Sequence, residues 1–216
     1  LPSQEIRGLF LDLDGTLADS MPVMRETYFR FLAARGAQGS QAEFDDLVGL
    51  PLSTISLLLK QAHGLSESPP KILRAYLDTV EAIYAREAQP MPGARELLRA
   101  AAERGVFTAV VTSATRDQAQ GFLRNHGLEN LVSAVVGADQ VRRGKPDPEP
   151  YRLALSLAGL DPAQGLAAED SPIGAASALG AGLATYIVRQ PGGMDAEVPG
   201  AAGYIRRLDE LNHLLP

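Results

Sequence analysis

Five short apolar runs, separated by segments of helical length, constrain this chain more than any other feature. Gly8–Leu13 (GLFLDL), Val106–Thr112 (VFTAVVT), Val132–Gly137 (VSAVVG), Gly165–Glu169 (GLAAE) and Leu183–Val188 (LATYIV) read as buried strands. Between them Gly93–Arg104, Arg116–His126, Glu149–Ala158 and Ile173–Leu179 read as helices. Parallel strands need crossover connections, and the crossovers put helices on both faces of the sheet. The expected fold class is therefore α/β, a doubly wound parallel sheet.

One stretch breaks the rhythm. From about Met21 to Ala88 there is no convincing strand. Val23–Ala34, Ser53–Ala62 and Lys71–Arg86 read instead as amphipathic helices, punctuated by Pro51, Gly64 and Pro69-Pro70. Gln89–Gly93 (QPMPG) then returns the chain to the sheet. The expected organisation is a Rossmann-like core from residues 1–19 and 90–216, with a helical insertion over residues 20–89.

Composition narrows the partners. At 45% hydrophobic and 21% charged residues the chain matches a globular protein rather than a disordered or fibrous one. Twenty basic against 26 acidic residues give a net charge of −6, which argues against a nucleic-acid backbone or an anionic membrane as partner. The absence of cysteine excludes thiol catalysis, disulfides and thiolate-bound metals. No apolar run approaches the roughly 20 residues that span a bilayer. Residues 1–7 do not read as a secretory signal, so a cytoplasmic protein is expected; the chain has no initial Met, which leaves its native start open.

Four small motifs fall where strands end. In Asp12-Leu13-Asp14-Gly15-Thr16 the two aspartates are two residues apart and project the same way from a strand. Carboxylates so placed repel unless a cation or a shared proton offsets them. The same Asp-Gly pair also suits an ordinary turn. Thr112-Ser113 ends the second strand, where hydroxyls and turn amides can hold an anion or simply cap the next helix. Lys145, framed by Gly144 and Pro146, is one of only three lysines and is either a phosphate-binding charge or a solvated loop residue. Glu169-Asp170-Ser171 ends the fourth strand and supplies either oxygen ligands for Mg²⁺ or a helix cap.

Together the four motifs, in this order and at these strand ends, resemble the haloacid dehalogenase superfamily of phosphotransferases. The helical insertion between the first two strands is also a feature of that family. Asp19-Ser20 and Pro92-Gly93 further resemble its β-phosphoglucomutase and phosphoglycolate phosphatase subgroup.

The resemblance implies the following chemistry. Asp12 attacks phosphorus to form an aspartyl-phosphate, and Asp14 acts as general acid and then base. Thr112, Ser113 and Lys145 bind the phosphoryl group. Asp12, the carbonyl of Asp14 and Asp170 hold Mg²⁺, with Gly15, Thr16 and Glu169 in support. The implied activity is Mg²⁺-dependent hydrolysis of a small phosphorylated metabolite. A sugar phosphate is the first choice and 2-phosphoglycolate the second. No nucleic-acid or membrane partner is implied, and the expected state is a monomer or small homo-oligomer.

The insertion would act as a cap that selects the substrate. Met24, Leu52 and, outside the cap, Arg116 are candidate contacts; Met21, Tyr28, Leu50, Ser53, Arg25, Lys60 and Arg74 are further ones. Most of these suit cap core or solvated surface at least as well. The resembling mutases carry a histidine and an arginine where Met24 and Leu52 stand, which favours water over a sugar as phosphoryl acceptor. His63, His126 and His213 are given no catalytic role. A non-catalytic binding protein on the same fold is the remaining alternative.

Overall fold

Burial on both faces explains why the first strand is so apolar: every residue of β1 (Gly8–Leu11) is buried. The computed structural model describes residues 5–47, 50, 52–190 and 197–216. After β1 come β2 (Ala18–Asp19), α1 (Met21–Ala33), α2 (Gln41–Leu47), α3 (Leu52–His63) and α4 (Pro69–Glu87). Then follow β3 (Gln89–Pro90), α5 (Ala94–Glu103), β4 (Phe107–Val111), α6 (Arg116–Asn125), β5 (Ala134–Val136) and α7 (Glu149–Ala158). The chain continues through β6 (Gly165–Glu169), α8 (Pro172–Gly180), β7 (Ala184–Val188) and β8 (Gly203–Ile205). Pro51 and residues 1–4, on which sequence expectations were placed, lie outside the described residues.

The chain divides into two compact units, Leu1–Asp19 with Gln89–Pro216, and Ser20–Ala88. The first unit holds a six-stranded parallel sheet in the order β5-β4-β1-β6-β7-β8. Leu11 pairs with Val110 on one side and Ala168 on the other, so β1 is central. Phe10, Val111, Tyr151, Ala154, Ala167 and Ala178 bring sheet, α7 and α8 into one apolar cluster. Small residues let α8 lie close: Gly174, Ala175, Ser177 and Ala178 are all buried.

The sequence expectations need several corrections here. The first strand stops at Leu11, two residues before the expected end. β8 was not anticipated, because its three residues, GYI, carry too little apolar signal to be read as a strand. The two-residue antiparallel pair β2–β3 was also unseen; it joins Ala18 to Pro90 and Asp19 to Gln89, where the chain leaves and re-enters the first unit.

The second unit is helical. Tyr28, Phe31, Leu32, Phe44, Leu59 and Ile72 form its core. Pro69 and Pro70 open α4 rather than interrupt it, since a proline in the first helical turn forfeits no intrahelical bond. α2 was missed; only Phe44 and Leu47 of its seven residues are buried, too short a stripe to read. Several residues considered as substrate contacts have structural partners instead. Tyr28 is fully buried, donates to Glu43 at 2.5 Å and accepts from the Ser40 amide at 3.0 Å. Burial first, then Glu43, pushes its hydroxyl up to about 12. Lys60 ties down the following loop through the carbonyls of Leu65 (2.5 Å) and Glu67 (2.7 Å). Arg25 donates to Gln41 and Arg74 pairs with Asp78, both on the surface.

Candidate active site

A doubly wound sheet opens a crevice where strand order reverses, beyond the carboxyl ends of its strands. Here the reversal is at β1: the chain goes to β4 and β5 on one side, then to β6, β7 and β8 on the other. Asp12 follows β1, Thr112 follows β4, and Glu169 and Asp170 lie at the end of β6. All four motifs therefore fall at or after the carboxyl ends of strands around the reversal, with Lys145 in the loop between β5 and α7.

The loop after β1 is built on one carbonyl. Leu13 O accepts from the amides of Thr16 (3.3 Å), Leu17 (2.9 Å) and Ala18 (2.8 Å). This tight return needs Gly15, whose φ is 78°. Gly15 has a second reason to lack a side chain: a Cβ there would sit 1.9 Å from Asp170 Oδ2. Gln190, just beyond β7, donates its side-chain amide to the Gly15 carbonyl and fastens the loop from the other side of β6.

The charged centre is largely buried. Lys145 Nζ donates to Asp12 Oδ1 at 2.6 Å, Glu169 Oε1 at 2.5 Å and Val111 O at 2.9 Å, which uses all three of its hydrogens. Its side chain is 5% exposed, that of Asp12 10% and that of Glu169 0%. Glu169 Oε1 also accepts from the Tyr151 hydroxyl at 2.5 Å, while Glu169 Oε2 is buried with no hydrogen-bond partner among the described residues. Oε2 lies against Gly174, where any Cβ would stand 1.9 Å away. Ser171 caps α8 by accepting from the Gly174 amide, so the helix cap is met without the Asp170 carboxylate.

Electrostatics follow from that burial. Burial alone would lower the Lys145 pKa, but Asp12 and Glu169 more than offset it and hold the ammonium above its usual range. Burial raises the Glu169 carboxyl; Lys145 opposes this and Asp12 adds to it. Burial likewise raises Asp170, reinforced by Asp12 and Glu169. Burial and the same carboxylates keep the Tyr151 hydroxyl protonated, so it is the donor to Glu169.

Ligand oxygens of Asp12, Glu169 and Asp170 lie within 4.8 Å of one another. Three carboxylates against one ammonium leave excess negative charge in a largely buried place, and an oxygen-only donor set suits a hard divalent cation. The unpartnered Glu169 oxygen is the feature such a cation would satisfy. The residues fit a divalent cation such as Mg²⁺.

The remaining expected residues are placed less centrally. The Asp14 carboxylate is exposed and lies outside this acidic group, while Glu169, expected only in support, lies within it. The alternation that pairs residues two apart holds in a strand, and the strand has already ended at Leu11. Thr112 is buried and its hydroxyl accepts from the Ala114 amide at 3.0 Å, whereas Ser113 is exposed. Neither caps α6; Thr115 does, in a reciprocal pairing with Gln118. Thr16 is fully buried. Arg116 lines a groove of about 170 Å³ with Gln120, Leu123, Arg124 and Glu129 against β5, a groove that includes none of Asp12, Glu169 and Asp170. Met24 and Leu52 pack against the core of the helical unit. Tyr151 and Gln190 were missed altogether. Tyr151 carries a weak signal in its position six residues after Lys145, on the helix that the lysine loop feeds; Gln190 carries none.

This fold and site define a haloacid dehalogenase-like hydrolase, and the chain belongs to that family, whose sequence profile matches residues 9–188. Within it, the chain is 31% identical over 219 residues to the plasmid phosphoglycolate phosphatase of Cupriavidus necator, covering 95% of this chain and 90% of that one. It is also 31% identical over 185 residues to hexitol phosphatase A of Escherichia coli, covering 86% and 84%. Among solved structures, a β-phosphoglucomutase-like protein of Thermotoga maritima superposes with a TM-score of 0.86 at 26% identity, covering 97% and 98% of the two chains.

Proposed function

We propose that this hydrolase is an Mg²⁺-dependent phosphatase of small phosphorylated metabolites. Sugar phosphates are its first substrate class and 2-phosphoglycolate the alternative. The observation that carries the reading is the buried contact of Lys145 with Asp12 and Glu169 beside Asp170. An anionic nucleophile must meet an anionic phosphate, and only fixed positive charge makes that approach feasible.

In the proposed reaction an Asp12 oxygen forms a bond to phosphorus as the ester P–O bond breaks. Asp14 gives its proton to the departing oxygen, then removes one from the water that releases phosphate and restores Asp12. The exposure of Asp14 supports this role, since its proton can be replenished from solvent. Lys145 and the Thr112 region bear the phosphoryl oxygens. Asp12, Asp170 and the Asp14 carbonyl, with Glu169 beside them, would hold Mg²⁺, which supplies positive charge against the phosphoryl group. Ser20–Ala88 serves as the cap that selects the substrate, from its helical build and its place between the first two strands of the sheet.

Kinship to a phosphoglycolate phosphatase and to a hexitol phosphatase supports both substrate classes. A mutase reading draws on the Thermotoga structure. It is disfavoured because Met24 and Leu52 offer neither charge nor strong hydrogen bonds for a second phosphate. The test is phosphate release from a panel of sugar phosphates and short phosphorylated acids, with Mg²⁺ and with EDTA. Mg²⁺-dependent release from at least one class is expected. Equal release in EDTA, or none across the panel, overturns the proposal.

A further inference from the structure

Glu169 is held in an unequal way. One oxygen accepts two short hydrogen bonds, from Lys145 and from Tyr151, each at 2.5 Å, and the other accepts none from the described residues. The Tyr151 side chain is fully buried among Phe10, Val111 and Ala167, and its ring also lies 5.2 Å from Lys145 Nζ. Packing alone would be served by phenylalanine, so a hydroxyl here, in an apolar cluster, calls for a reason. A buried hydroxyl costs free energy unless it is satisfied, and among the described residues its acceptor is the carboxylate.

We propose that Tyr151 is a positioning residue for the cation site: its hydroxyl pins Glu169 Oε1, which keeps Oε2 uncommitted and able to join Asp12 and Asp170 on the cation. This rests on the Mg²⁺-phosphatase reading and deepens it. A carboxylate oxygen that already accepts the tyrosine proton also pulls less strongly on a second donor. Lys145 is thereby left shared between Glu169 and Asp12 instead of being drawn wholly to Glu169. One element delivers both donors, because the loop carrying Lys145 runs directly into α7. That loop is itself anchored, by Ser177 Oγ donating to Asp147 O at 2.5 Å.

The experiment is calorimetric titration of the full chain with Mg²⁺ alone, for the wild type and Tyr151→Phe, with thermal melts of both. The phenylalanine keeps the ring and its packing. The proposal expects Mg²⁺ binding weakened by about tenfold, the lower end for groups that orient metal ligands, with a melt close to wild type. A role in packing alone predicts unchanged Mg²⁺ affinity, and that result overturns the proposal while leaving the phosphatase reading in place. A wild type that binds no Mg²⁺ overturns both. If Tyr151→Phe does not fold, Tyr151→Met, also without a hydroxyl, is titrated and read in the same way.

Discussion

Two glycines show how much of this site is made by omission. Gly174 leaves room for Glu169 Oε2 and Gly15 for Asp170 Oδ2, each where a Cβ would intrude to 1.9 Å. At Gly174 the backbone is helical, so alanine is tolerated by the chain and excluded only by the carboxylate. Gly174→Ala is expected to cost about 1–3 kcal/mol in stability, as overpacking does, and to weaken Mg²⁺ binding; a chemical denaturation curve and a metal titration check the two effects. The raised Asp170 and Glu169 carboxyls set the pH response. Protons compete with a cation for these oxygens, so Mg²⁺ affinity should rise from mildly acidic to mildly alkaline pH, with proton release on binding. In the metal-free protein the sign reverses. The folded state holds these protons more tightly than the unfolded chain, so that stability is complete below about pH 4 and is lost as pH climbs through the raised values. Melts of the wild type and Asp170→Asn across pH test this: the aspartate should lose ground to the asparagine as pH rises. For Asp14→Asn, the first step, read as pre-steady-state release of the leaving group, should slow by roughly 10²–10⁴-fold for alkyl phosphates and much less for p-nitrophenyl phosphate, whose leaving group needs no proton; water attack on the shared phosphoenzyme slows alike for both. Equal losses in that first step would remove Asp14 from the acid role.

At the scale of elements, the central strands were legible because burial on both faces leaves a largely apolar run, as in β1, β4 and β6. The motifs were legible because short polar clusters stand out where such runs stop. Three things were not. β8 and α2 bury too few residues to show a period. Glu169 was expected only in support, because nothing local in the sequence shows that its carboxylate is buried against Lys145 and Tyr151. Tyr151 and Gln190 act through contacts made across the sheet, and no local pattern encodes a partner 18 or 175 residues away. Gln190 provides a test of the β1 loop. Gln190→Leu removes the donor to the Gly15 carbonyl at similar size, and is expected to reduce kcat severalfold while leaving the melt within a few degrees, because that loop carries Asp14.

For the whole molecule, the proposed division of labour puts the chemistry in the sheet unit and the choice of substrate in Ser20–Ala88. Substitutions at Met24 or Leu52 should then alter the ratio of kcat/KM between substrates and leave Mg²⁺ affinity unchanged. A common factor across all substrates would show that these two positions do not select. The same division predicts that water takes the phosphoryl group. With β-glucose 1-phosphate and a trace of the 1,6-bisphosphate, free phosphate should form and glucose 6-phosphate should not; rapid isomerisation with negligible phosphate release would make the protein a mutase. All of this depends on Asp12 as nucleophile, and that is directly measurable. Wild type and Asp12→Asn are mixed with acetyl phosphate and Mg²⁺, quenched in acid within a turnover, and examined by peptide mass spectrometry. One added phosphoryl group on the Asp12 peptide of the wild type, labile to hydroxylamine and absent from the variant, is the predicted result. Undiminished turnover by Asp12→Asn, free of deamidation, would contradict it.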